Sequence, residues 1–566
     1  MSIIVGGKTL ENVQVGDMSV AKVRVRKGDN GEYVTVYQQP YAVVQTETNA
    51  VNQFKLNSNG YWESQNKNVG NGYSLCKVIF PEAGSYVVHC KKHWLNNEWY
   101  ILSKINTELS ASAELESALS KTETRTKNVI IRAISGQYLT IGSSDSYYGA
   151  DGSTTITDSD GEVISITSAT YLFGCEIEGS PVISGTKVSV TMKGAKPSTT
   201  YSVSLSITYK VNIPAKAQYI SGTTYTDCVY NSVSAGDYVY IKYVPKNSSS
   251  AATDFLEFKV EPTWVATVSN LGASSPSSVT FDVVAGVSGY TPWGETEFNG
   301  DKFIKFNTIY RQVLSSSSGQ ITKFKLSNYQ TMSSQHIYPC FVDENANELD
   351  YILVGKYQSS STTTCNSVST SSAHQTIANG RAKARARGAG YQLMDWRIQR
   401  LIQDLLICEL KTVNTNDGSW VKYYALGMYW GDNGEGQWID GISVNGSQYL
   451  YSNTPSKYVN SPTSSTSGYS AMSGYSAPNA GGFEIMKLGY DATQSFFNYP
   501  SATTDVAYTT YYCDYYYYTS DLGSRPVGTI VDGTWAGFGV YDCRALYDWS
   551  HSDYTVRLCY RPIKSS

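Results

Sequence analysis

The chain has 566 residues, 41% of them hydrophobic and 16% charged, and carries a formal net charge of −4. That length predicts about three or four globular domains. A weakly acidic chain lacks the basic face that neutralises a phosphate backbone, so nucleic acid is not an expected partner.

Residues 1 to 37 alternate at strand period. Val13, Val15, Val23, Val25, Val34 and Val36 are separated by Gly-Asp and Gly-Asp-Asn-Gly turns, which predicts a small β-meander. So short a unit buries too little to stand alone, and it is expected to attach to a neighbouring chain. The first twenty residues show no charged start followed by an apolar run, so no signal peptide is expected. No run of about 18 apolar residues occurs, and no membrane insertion is expected.

Residues 38 to 145 read as alternating strands with Asn-Gly turns, a β-sandwich module. Within it, His89, Cys90 and His93 invite a metal reading. On a strand, however, His89 and Cys90 point to opposite faces, so a structural histidine is favoured. The polar stretch ELSASAELESALSKTE reads as a short helical spacer. Residues 146 to 289 carry short β runs about ten residues apart, the spacing of an immunoglobulin-like sandwich, and no chemistry stands out there.

From 290 to 566 the character changes. KFIKFNTIYRQVLSSSSGQITKFKLSN predicts a hairpin, and IYPCFVDENANELDYILVGKY a strand, an Asn-rich turn and a strand. NGRAKARARGAG is basic, but Arg381, Arg385 and Arg387 span one short segment and read as a local turn or a capped helix end. Leu393, Trp396, Leu401, Leu405 and Cys408 recur at helical spacing, which predicts a helix whose apolar stripe packs on a sheet. The Asn/Asp cluster at 414 to 417 is expected to stop it.

The ten cysteines form no C-x-x-C pair and are expected reduced, although Cys543 and Cys559 fall on strands expected to be neighbours and are open to pairing. Tyrosine is the compositional oddity, at 47 against 15 phenylalanines. Tyr fits edge-strand faces, and it equally offers the rigid amphipathic area of a binding surface. The C-terminal stretch TTYYCDYYYYTSDLGSRPVGTIVDGTWAGFGVYDCRALYDWSHSDYTVRLCYRP concentrates it.

Three resemblances follow from these residues. The Val-Gly-Gly-Lys…Val-x-Val-Gly-Asp pattern at the start resembles short repeats of bacteriophage tail-associated proteins. Asn59, Gly60, Tyr61, Glu63, Ser64, Tyr73, Cys76, Val78 and Ile105 resemble a β-sandwich module of phage structural proteins of gut bacteria. In the last half, a helix is followed by a Gly-rich loop with Trp430 and Trp438, then Asp440-Gly441-Ile442. Gly533, Trp535, Gly537, a loop with Ser550 and the closing VRLCYRP come next. This succession resembles the C-type-lectin-like fold of formylglycine-generating enzymes and of the variable proteins of diversity-generating retroelements, as in phage tail-fibre tips and adhesins. The expected fold class is therefore mainly β and modular, ending in an α+β C-type-lectin-like domain.

In such domains the segment before the last strand displays the ligand-contacting side chains. Here that segment is 540 to 554, and the resemblance implies receptor contacts by Tyr541, Asp542, Arg544, Tyr547, Asp548, Trp549, Ser550, His551, Asp553 and Tyr554. These are paratope residue types, although a wet loop or a subunit contact would use them too. The calcium loops of sugar-binding C-type lectins do not occur here. The cysteines do not reproduce the copper site of the formylglycine-generating enzymes, so that oxidase activity is not carried over.

Five histidines, no singled-out carboxylate pair, no nucleophile elbow and no phosphate loop make an enzyme unexpected. No cofactor and no metal are expected. The resemblance implies a virion fibre or receptor-binding adhesin facing the host cell surface. Its partners would be a bacterial cell-surface glycan or protein receptor and, through the N-terminus, other virion proteins. It would assemble as a homotrimer. A head fibre or decoration protein built of the same modules is the alternative. A glycan-degrading tail spike is the other, although the β-helix repeat usual for spikes is missing from the sequence.

Overall fold

A computed structural model describes 42–46, 54–64, 73–93, 99–109, 226–244, 255–272, 276–330, 335–358, 376–413, 425–429, 436–478, 481–504, 515–518, 525–529, 541–543 and 554–563, apart from single positions within these ranges. For strands before residue 39 and between 121 and 213 the description is one of backbone pairing. The chain is mainly β, built of several antiparallel sheets and two α-helices among the described residues.

The N-terminal residues form three separate hairpins rather than one meander: Ile3–Val5 with Lys8–Leu10, Gln14–Val15 with Met18–Ser19, and Lys22–Lys27 with Glu32–Gln38. Between 121 and 213 lie a three-stranded sheet (Lys121–Ile134, Thr200–Ile213, Gly161–Leu172) and a four-stranded one (Gln137–Ile141, Asp145–Thr155, Lys187–Gly194, Glu176–Ser184). The expected spacer helix lies almost wholly outside the described residues, and a strand begins at Lys121.

Two further sheets join strands from both sides of this insertion. Trp99–Leu102, Tyr238–Val244, Ser74–Ile79 and Val43–Thr46 form one. Thr226–Val233, Gly84–His93, Phe255–Pro262, Trp62–Ser64 and Phe54–Leu56 form the other. The sheets therefore do not break at 145/146, because Tyr238–Val244 supplies the hydrogen-bonding edge that Ser74–Ile79 needs. Periodicity shows that a strand exists but not which distant strand it pairs with.

By compactness the chain divides into 1–82, 89–228 and 233–260 as one unit, and 83–88, 229–232 and 261–566 as the other. Among the described residues the second unit holds three sheets. Trp264–Ser269 pairs with Thr280–Ala285 and Gln320–Ser327, and the latter pairs with Tyr310–Ser317 in the expected hairpin. Asp301–Asn307, expected in that hairpin, pairs instead with Trp293–Phe298 and Tyr351–Gly355.

The chain's closing strand, Leu558–Tyr560, lies between Tyr351–Gly355 and Tyr391–Leu393. Phe303, Leu353, Leu393, Trp438, Val556 and Leu558 pack around it as one apolar cluster. The third sheet runs from Ser470–Ala471 through Gln448–Tyr451, Gly436–Asn445, Arg525–Thr529, Tyr541–Cys543, Tyr515–Tyr518 and Gly481–Leu488 to Pro500–Thr504.

Helix α1 spans Ile377–Ala386, so the basic stretch is a helix. Thr376 caps its start, accepting from Asn379 N at 3.1 Å. Helix α2 spans Trp396–Leu410 and stops at Lys411 in left-handed conformation, before the Asn/Asp cluster expected to end it. Every residue from Trp396 to Cys408 is buried, not one stripe alone. The polar residues on its other faces are therefore taken out of water and must find partners there.

Candidate functional site

The proposed contact segment is tied to the framework at both ends. Tyr541–Cys543 pairs in parallel with Tyr516–Tyr518 and meets Arg525–Thr529 at Gly528. Tyr554–Thr555 pairs in parallel with Gly436–Gln437. Cys543 and Tyr516 are fully buried at the first end, and Val556, Arg557 and Leu558 follow, equally buried, at the second.

Arg557 fixes that second end by several bonds. Its Nε donates to Gln437 Oε1 at 2.8 Å, Nη1 to the Gly355 carbonyl at 2.7 Å and Nη2 to the Tyr429 carbonyl at 2.9 Å. A guanidinium fork bonded on three sides cannot rotate, so the exit of the segment is held rigidly.

Of the proposed contact residues, Tyr541 and Asp542 lie in the first strand and Tyr554 opens the second. Arg544, Tyr547, Asp548, Trp549, Ser550, His551 and Asp553 fall outside the described residues, as do Trp430 and Trp535. Trp438 is buried in the Gly436–Asn445 strand, as expected of a framework residue. Cys543 and Cys559 are free buried thiols, so the disulfide left open by the sequence does not form.

Beside this framework stands a dense ionic centre. Asp395 caps α2, its Oδ1 accepting from Arg397 N and Ile398 N at 3.1 Å each. Its Oδ2 accepts from Arg397 Nε at 3.0 Å and the Tyr458 hydroxyl at 2.8 Å. Burial pushes the Asp395 carboxyl up, but Arg397 outweighs it and holds the group below the ordinary range. Asp440 takes both arms of Arg381, at 2.8 Å from Nε and 2.7 Å from Nη2. Gly441 follows at φ +74°, and a Cβ there would lie 2.5 Å from the Tyr458 ring. Only glycine lets the Asp440–Gly441 turn pass under Tyr458.

A second ionic group holds α2 from another side. Asp404 binds Arg400 one turn earlier, sits 3.2 Å from Arg311 Nε, and accepts from the Tyr338 hydroxyl at 2.6 Å. Burial pushes Asp404 up, and the two guanidiniums more than offset it, leaving its net pKa below the ordinary value.

Next to the first centre opens a cleft of about 460 Å³, with Arg381, Arg385, Tyr391, Asp440, Ser456 and Arg561 in its lining. From sequence, Arg381 and Arg385 were expected in a local turn or a capped helix end, and Arg561 in the closing VRLCYRP. Nothing in their spacing shows that α1 and the last strand bring them together. Cys340, whose carbonyl meets Arg561, has its thiol pushed far up by burial.

In the other unit the metal reading fails among the described residues. His89 Nδ1 meets Asp227 at 2.6 Å, while His93 Nε2 meets Glu257 at 2.9 Å and its ring stacks on Phe255. No group of three or more metal-ligating side chains forms among the described residues.

Comparison with protein-family models gives no match, and comparison with curated proteins gives none.

Proposed function

We propose that the chain is a modular virion fibre or adhesin whose C-terminal unit recognises a bacterial surface receptor through residues 540 to 554. The supporting observation is the double tether: Tyr541–Cys543 and Tyr554–Thr555 are each paired into the large sheet, and Arg557 fixes the exit. Fixing the two ends of a segment rich in aromatic and short polar side chains lowers the ordering cost of binding through it. The C-type-lectin-like character of this unit, the sandwich spacers and the attachment role of the N-terminal hairpins belong to the same proposal.

Density-purified particles from a culture expressing the chain, labelled with antibody to it, provide the test. Labelled fibres projecting from particles are expected, with the C-terminal epitope outermost. A chain found only in cell lysate, never on particles, would overturn the reading. Label on the capsid rather than the tail would favour the head-fibre alternative.

A further inference from the structure

The cleft beside α1 holds a guanidinium in an unusual position. Arg561 is 5% exposed, and its Nε donates to the Cys340 carbonyl at 2.9 Å. Its Nη2 donates to the Val342 carbonyl. Both acceptors are neutral. Among the described residues Arg561 has no carboxylate within ion-pair distance, and Nη1 has no hydrogen-bond partner.

The neighbouring carboxylates are engaged elsewhere. Asp440 is bound by both arms of Arg381, and Asp395 by Arg397. Arg561 is thus a third guanidinium beside two ion pairs; Asp395 and Asp343 act on it from a distance, but neither bonds it. Its planar fork matches a carboxylate or phosphate, and Nη1 is open to one. Arg385, on the exposed side of α1, holds only the Pro455 carbonyl at 2.8 Å and lines the same cleft. It is free to turn toward a ligand.

The mouth has the opposite character. Glu344 accepts from Ser456 N and Oγ at 2.7 Å each. Asp343 accepts from Asn345 N and Asn347 N at 2.8 Å and from Asn347 Nδ2 at 3.0 Å. Held carboxylates of this kind repel a bare anion but accept hydroxyl groups. The walls add the Tyr391 ring and the largely exposed Ile563. A volume of about 460 Å³ falls in the range of roughly 300–1,000 Å³ usual for small-molecule sites.

We infer that this cleft binds an acidic saccharide, its carboxylate or phosphate on Arg561 and Arg385 and its hydroxyls at the Glu344 and Asp343 mouth. A ring face would lie against Ile563. This inference rests on no part of the reading of residues 540 to 554.

The full chain, titrated by calorimetry with glucuronate, glucose 6-phosphate, glucose and inorganic phosphate, gives the test. At least one acidic sugar should bind, about tenfold or more tighter than glucose and than phosphate. Which acidic sugar binds better identifies the anion. Arg385→Gln should weaken binding about tenfold without unfolding the chain, since it removes one exposed donor. Glu344→Gln, which keeps the contact to Ser456 Oγ, should tighten it. Arg561→Lys should weaken it most, and if that variant does not fold the other two still decide. The inference is overturned by an absence of binding for both acidic sugars, by equal binding of glucose or of inorganic phosphate, or by affinity that neither Arg385→Gln nor Glu344→Gln changes.

Discussion

Asp404 shows how single residues carry this fold. It neutralises Arg400 and Arg311 and takes the Tyr338 hydroxyl in a fully buried setting. Asp404→Asn keeps the shape and leaves two buried guanidiniums short of charge, so a loss of about 3–5 kcal/mol is expected in urea unfolding. The same group sets a pH dependence. Asp404 and Asp395 both have folded values below the ordinary 3.8. Their contribution is therefore complete above the unfolded value and is lost as pH falls through the folded ones. Unfolding free energies should hold between pH 7 and about 5, then drop below about pH 4, and the drop should be smaller in Asp404→Asn. Gly441→Ala is the steric counterpart, with a positive φ and a Cβ driven into Tyr458. It should destabilise by about 1–3 kcal/mol, read as a lowered melting temperature. An unchanged melting temperature would mean that Tyr458 moves aside without cost.

Among the elements, α2 was legible in its apolar residues. Trp396, Leu401, Leu405 and Cys408 are all buried on it, whereas Leu393, expected on the same helix, lies in the strand Tyr391–Leu393 that precedes it. What the spacing did not show is that Arg397, Gln399, Arg400, Gln403 and Asp404 are buried as well. A polar residue on a helix reads as solvent-facing unless its partner is known, and Arg311 lies far away in sequence. The same limit hid the cleft. Arg381 and Arg561 lie on a helix and after the last strand, and they meet only because Leu558–Tyr560 returns to pair with Tyr391–Leu393. Local hairpins such as Tyr310–Ser317 with Gln320–Ser327 were legible because their pairing partner is adjacent in sequence. Strand Tyr238–Val244 was legible as a strand, but its pairing with Ser74–Ile79 was not. That closing strand suggests a further prediction. Val556 and Leu558 are fully buried in the apolar cluster, so Leu558→Ala should cost about 2–5 kcal/mol. It should reduce adsorption to cells only in proportion to the unfolded fraction.

At the scale of the whole molecule, the chain forms two β-rich compact units. The three N-terminal hairpins are two-stranded, and isolated two-stranded pairs are marginal in water. Deleting residues 1–38 should therefore leave thermal unfolding of the remainder unchanged and abolish incorporation into particles, measured by immunoblot of purified virions. Multivalent display is the expected compensation for a weak single site, and light scattering of the full chain should report a trimer. The central claim is that recognition resides in residues 540 to 554. It is tested most directly by adsorption of the full chain to a panel of bacterial isolates, beside the triple variant Tyr541→Ala, Tyr547→Ala, Trp549→Ala, with a thermal melt of each. Anchors worth about 2 kcal/mol each at a hot spot should be lost for a stability change of about 0.5 kcal/mol per site. The variant is expected to fold and no longer to adsorb to the isolates bound by the parent chain. A folded variant that adsorbs as well as the parent would contradict that claim.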